Sequence, residues 1–154
     1  MVTIELFKTT QDAQDWIEQQ QDYVLLSEQT PLLSNLLIWE NIALIEQSHH
    51  RLSVKESQRH VQALLDKVGQ GHLAKKRIYE CNELELFIAL LARSYFMDVA
   101  QLVIVYPEAL VGNTVNFSDV RYWIERIETK KTVVILDLIY NQGYFQGQTC
   151  HINA

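Results

Sequence analysis

Two stretches limit what this chain can fold into more than any others: QLVIVY at residues 101–106 and TVVILDLIY at residues 132–140. Both run apolar without polar alternation, so each needs cover on both faces of a sheet. Each also follows a helical pattern. LELFIALLARSYF is apolar on nearly every side and reads as a buried helix. Val120, Trp123, Ile124 and Ile127 form the stripe of the second helix, with Ser118 as its expected cap. Buried strands joined through helices imply an α/β fold with a mostly parallel sheet flanked by helices. With 154 residues, 48% of them hydrophobic, the chain has apolar material for one core. A single domain over residues 1–154 is expected.

The remaining segments fit around that frame. VTIELF reads as a short strand, and Ala13, Trp16, Ile17 and Gln20 trace a helix behind the candidate cap Thr10. YVLLS, residues 23–27, is a second short strand. Pro31 opens a loop, and LLIWENIALIEQ turns helical. Ser53 and Glu56 have capping-box spacing ahead of Val61, Leu64, Leu65 and Val68, and Gly69 is the expected stop. Asn82 and Glu85 form a second cap pair, and a final short strand or hairpin is expected in YFQGQTCHI. Residues 38–80 carry only helical patterns, which implies a small helical subdomain beside the sheet.

Charge and motif content narrow the function. A net charge of −6 and a pI near 5.3 disfavour nucleic acid, whose phosphates need a basic field. No apolar run reaches the length of a membrane span, and MVTIELFKTT lacks the basic and apolar regions of a secretory signal. Cys81 and Cys150 read as reduced thiols of a cytosolic protein, Cys81 packed at a helix start. The pattern G-x-x-x-x-G-K-[ST] is absent, and Gly69-Gln70-Gly71 reads as a helix terminator. His49, His50 and His60 lack ligand spacing and read as solvated surface residues, so no metal site is expected. No G-x-S-x-G elbow occurs, and Glu83 and Glu85 suit the positive end of a helix dipole.

The order of segments carries more than any one motif. VLLSEQTPLLSNLLIWENIAL, HHRLS, LLDKVGQGHLAKK, ELELFIALLARSYFMDVAQLVIVYPEAL and KKTVVILDL follow one another over roughly residues 20–140. This succession resembles the later two-thirds of an ABC-transporter ATPase, and is most similar to the Mla-type bacterial ATPases that work in lipid transport with MCE proteins. Glu40-Asn41-Ile42, Lys67-Val68-Gly69 and Ala92-Arg93 match scaffold positions of that family, and from Ala92 to Pro107 the spacing runs without a gap.

The positions that carry the family's chemistry differ. Cys81-Asn82-Glu83-Leu84-Glu85 stands where the family has L-S-G-G-Q, which places carboxylates opposite a phosphate. Val105 and Tyr106 replace the Mg²⁺-supporting aspartate and the glutamate that polarises the attacking water, and Glu108 lies one residue past Pro107, aligned with neither. The switch histidine falls near Leu138, with Asp137 just before it. About twenty residues precede the Q-loop, fewer than the usual strand, phosphate loop and helix occupy. The Q-loop glutamine corresponds to Gln29 with a one-residue slip or to Glu28 without one.

The resemblance therefore implies the family's shape without its ATPase activity and without a cofactor: a degenerate, non-catalytic subunit of an ABC-type lipid-transport complex. In the family, a groove near the Q-loop receives a permease helix. Its counterparts here are Glu28, Gln29, Leu36, Trp39, Glu40 and Asn41, with Trp39 either an exposed anchor or part of the core. Expected partners are a permease, an active ATPase or a second copy. Membrane contact is expected only through a partner, at the inner face of the cytoplasmic membrane. The alternative is a nucleotide sensor or enzyme with a rebuilt site, in which Tyr106 stacks on a base and Glu108, Asp137 or Glu83 act as acid–base groups.

Overall fold

A computed structural model describes residues 1–153. Strand β1 (Val2–Phe7) leads through α1 (Thr10–Glu18) to β2 (Tyr23–Leu26). Helices α2 (Ile38–His49) and α3 (Val54–Lys67) follow, then 3-10 turns at Gly71–Leu73 and Ile78–Glu80. Next, α4 (Glu83–Tyr95) precedes β3 (Gln101–Val105), and α5 (Pro107–Val111) and α6 (Phe117–Ile127) precede β4 (Thr132–Leu138). A 3-10 segment, Ile139–Phe145, and the turn over residues 146–150 lead to β5 (His151–Asn153). The five strands form one parallel sheet in the order β2-β3-β4-β1-β5. The fold is thus α/β, with β3 and β4 inside the sheet as their unbroken apolar runs require.

The two faces of the sheet are covered unequally. Ile4, Leu6, Leu102, Ile104, Val133 and Ile135 point to one side and share a continuous apolar cluster with α2, α3, α4 and α6. Alternate residues, Phe7, Val103, Val105, Val134 and Leu136, point to the other side and pack with Ala13 and Ile17 of α1. Ile38, Ile42, Val61 and Leu65 of α2 and α3 belong to the same cluster as the sheet. The 38–80 segment therefore packs onto the domain core.

Several local expectations are corrected. Thr9, not Thr10, caps α1, its hydroxyl accepting from Asp12 N–H at 3.1 Å. Asn116, not Ser118, caps α6 by accepting from Asp119 N–H at 3.0 Å. Asn116 is the last residue in extended backbone (φ −79°, ψ 162°), and the Ser118 hydroxyl, already in the first turn, donates to the Asn116 side chain at 2.6 Å. The strand expected to reach residue 140 stops at Leu138, because the Asp137 carboxylate captures the Leu138 N–H at 2.7 Å. The residues before β2 do accommodate both a strand and a helix. They fit because the connection from β1 to α1 is only Lys8 and Thr9. The caps at Ser53 and Asn82 and the left-handed stop at Gly69 (φ 76°) form as expected.

Candidate functional site

In open parallel sheets, ligands sit outside the carboxyl ends of the strands, where successive connections leave on opposite faces. That crevice lies here at the tips of β1, β3 and β4. The chain leaves β1 over one face through α1 and leaves β3 over the other through α5 and α6. A cavity of about 450 Å³ opens there, with Thr10, Tyr106, Glu108, Asp137, Leu138 and Tyr140 in its wall. A neighbouring cavity of about 380 Å³ lies under α1, bounded by Thr10, Ile17, Leu25, Gln29, Val105 and Tyr106.

Tyr106 divides the two. Its backbone is left-handed (φ 53°, ψ 64°), a conformation that costs a non-glycine residue about 1 kcal/mol or more. Strand alternation would aim its side chain with Ile104 toward the helix-rich face. The turn instead packs the ring on the α1-side cluster, while its N–H stays in the sheet, donating to Leu136 C=O at 3.0 Å. Pro107 then opens α5 at the position where a missing N–H costs nothing. Burial pushes the Tyr106 phenol up, and the proximity of Asp137 and Tyr140 adds to this.

Asp137 is fully buried, at 0% exposure. Its Oδ1 accepts from Leu138 N–H at 2.7 Å and from Asn141 Nδ2 at 2.8 Å. Its Oδ2 has no partner among the described residues. Burial raises its carboxyl above the usual range, the two hydrogen bonds oppose that, and nearby Glu108 raises it further. Such a group is expensive to hold charged without a counter-ion.

The degenerate positions fall as follows. Val105 is buried in the α1-side cluster, and Leu138, also buried, contributes to the larger cavity. The 81–85 loop is committed to starting α4. Asn82 Oδ1 accepts from Glu85 N–H at 2.8 Å, and Glu85 Oε1 accepts from Asn82 N–H at 3.0 Å. Glu85 Oε2 also takes Lys76 Nζ at 3.1 Å. Burial raises the Glu85 carboxyl, but the hydrogen bonds from Asn82 and Lys76 outweigh it and leave it below the usual range. Leu84 packs half-buried against the core. Glu83 lies against the Gly112 backbone, where an added Cβ would fall 1.9 Å from its Oε2. Of the alternative acid–base candidates, Glu108 and Asp137 therefore share a cavity wall, and Glu83 is outside it.

The groove between the loop after β2, α4 and α5 is a cavity of about 230 Å³ whose wall includes Glu28, Pro31, Leu32, Ile78, Leu86 and Leu110. Arg93 shapes it by donating to Pro31 C=O at 2.9 Å and to Thr30 C=O. Among the residues expected to contact a partner, Glu28 alone is in its wall. Gln29 faces the cavity under α1. Leu36 is half-buried, and Trp39 packs half-buried on the core with its N–H donating to Ala74 C=O at 3.0 Å. The Glu40 carboxylate accepts from Leu37 N–H at 2.9 Å. Asn41 is corrected from a partner contact to an internal brace, since it is 0% exposed. Its Oδ1 accepts from Leu33 N–H at 2.6 Å, and its Nδ2 donates to Leu33 and Leu37 C=O at 3.1 Å each. Pro31 and Leu32 were visible as a loop but not as groove walls, and Ile78, Leu86 and Leu110 come from elements distant in sequence.

His60 is solvent-exposed as expected, its side chain 53% accessible, and its Nδ1 meets Glu46 at 2.9 Å. No group of three or more His, Cys, Asp or Glu side chains converges among the described residues in a way that would hold a metal.

No family model and no curated protein matches the chain. Solved structures do. One is a metal-chelate type ABC transporter in an inward-facing conformation, at a TM-score of 0.62 and 12% sequence identity. The match covers 87% of this chain and 62% of that one. At that identity the likeness is one of fold, and the fold of this chain is ABC-transporter-like. The chain thus spans less than two thirds of the length of the protein it matches.

Proposed function

We propose that this chain is a non-catalytic, ABC-ATPase-like binding or regulatory subunit of an ABC-type transport complex. The carrying observation is the two-residue connection between β1 and α1. A phosphate cradle needs a loop of successive N–H groups, and Lys8 and Thr9 are too few to build one. The apolar Val105 and the twisted Tyr106 point the same way, since phosphoryl transfer depends on carboxylates that place Mg²⁺ and water. The sequence resemblance to Mla-type ATPases narrows the complex to lipid transport. The partner is a permease, an active ATPase or a second copy, with the groove beside Glu28 and Pro31 as the docking surface for a permease helix. No helix among the described residues is long and apolar enough to cross a membrane, and this reading assigns membrane contact to that partner.

Co-purification from native membranes tests the reading. Recovery of a permease or of an intact ATPase supports it, and recovery of the chain free of any transporter component counts against it. Calorimetry with ATP and Mg²⁺ separates it from the second reading, a nucleotide-sensing or catalytic domain with a rebuilt site. The convergence of Tyr106, Glu108 and Asp137 on one cavity favours that second reading. The charge of the cavity opposes nucleotide, because none of the described residues in its wall is basic. The expected result is no heat of binding, and micromolar ATP affinity would overturn the non-catalytic assignment.

A further inference from the structure

We propose that the 450 Å³ cavity at the tips of β1, β3 and β4 binds a small organic cation of the alkylammonium class, with Asp137 and Glu108 as its anionic walls and Tyr106 and Tyr140 as its aromatic ones. The cavity has the size of a small-molecule site and lies where parallel sheets place ligands. Its charge has one sign, since the wall contains two carboxylates and no described lysine or arginine.

The second observation is independent of that charge. Asp137 is fully buried and saturated on one oxygen only, by Leu138 N–H and Asn141 Nδ2. Its other oxygen has no donor within the described residues, and buried oxygens of this kind ordinarily have one. That oxygen has no accessible surface of its own, so it would act on a cation in the cavity through its charge, with Glu108 as the carboxylate in contact. The third observation is aromatic. Tyr106 is held in its strained backbone facing the crevice, and Tyr140 is exposed at the rim. Ring faces beside carboxylates attract an ammonium through the ring quadrupole while the alkyl part covers apolar surface. A metal ion fits less well, because two carboxylates fall short of the six or more oxygen ligands that Mg²⁺ or Ca²⁺ takes, and no larger acidic cluster forms here. The chain's net charge of −6 would also concentrate cations around it. The cavity meets the groove beside Glu28 at Ala109, and none of Tyr106, Glu108, Asp137 and Tyr140 lines that groove.

Titration calorimetry of the full chain at low salt, with putrescine, choline, MgCl₂ and Mg²⁺-ATP as probes, tests this. Putrescine or choline is expected to bind one site with a Kd on the order of 100 μM, a modest affinity for so few contacts. Glu108→Gln and Asp137→Asn should each weaken that binding about tenfold, and Tyr106→Leu by about threefold. Glu108 sits on the short surface helix α5, so its variant keeps the test valid if the Asp137 variant folds poorly. Absence of amine binding at millimolar concentration would overturn the proposal. So would amine binding unchanged by Glu108→Gln, or Mg²⁺ binding tighter than either amine.

Discussion

Asp137 holds a carboxyl in a place that disfavours its charge. Burial raises its pKa in the folded chain, and Glu108 adds to the shift. The folded state therefore binds more protons than the unfolded chain at pH values between about 3.9, the ordinary carboxylate value, and the raised one. The contribution of this group to stability is full below the ordinary value and is lost as pH rises through the raised one. Asp137→Asn removes that loss. Thermal unfolding followed at several pH values should show the native chain losing more stability than the variant between pH 4 and pH 8. Equal slopes for the two proteins would contradict the assignment. Asp137 and Glu108 were each visible in the sequence as acidic residues near strand ends. Their meeting was not, because it depends on the left-handed turn at Tyr106, which no periodicity announces.

The elements legible in the sequence are those whose surroundings are uniform. β3 and β4 run between neighbours on both sides and under cover on both faces, so their residues are apolar throughout. β1 also lies inside the sheet, yet it alternates like a half-exposed strand. Its neighbour β5 is only three residues long, and Glu5 meets Asn153 at 2.9 Å near that edge. α5, at five residues, is too short to show a helical period. Caps were legible to within two residues, since Asn116 and Ser118 both favour helix starts. The structure distinguishes them. Asn116→Ala should cost about 1 kcal/mol, because it removes the acceptor for Asp119 N–H, whereas Ser118→Ala should cost a few tenths at most. Urea unfolding of the two variants measures the difference, and the reverse ranking would return the cap to Ser118.

Across the whole molecule, one ionic corner ties the two halves of the chain together. Lys131 and Glu128 have side chains only 3% and 0% exposed and meet at 3.2 Å where α6 turns into β4. Lys131 Nζ also donates to Tyr95 C=O at the end of α4, at 3.1 Å, and Glu128 Oε1 accepts from the N–H groups of Lys130 and Lys131. Glu128→Ala would leave the buried Lys131 ammonium with only Tyr95 C=O and strand the buried Lys131 N–H, at a cost of about 3 kcal/mol, or roughly 9 °C in Tm. A loss under 1 kcal/mol by chemical denaturation would mean that the corner is wetter than its burial implies. The strand order has a separate consequence, in time. Residue 2 pairs with residue 133 and residue 5 with residue 151, so β1 leaves the ribosome long before either strand it pairs with has been made. Helices α2, α3 and α4 can gather beforehand, but the sheet beneath them stays open at its centre. Until β4 arrives, VTIELF is an unpaired apolar edge, which makes folding slow, late to commit and dependent on protection of that edge.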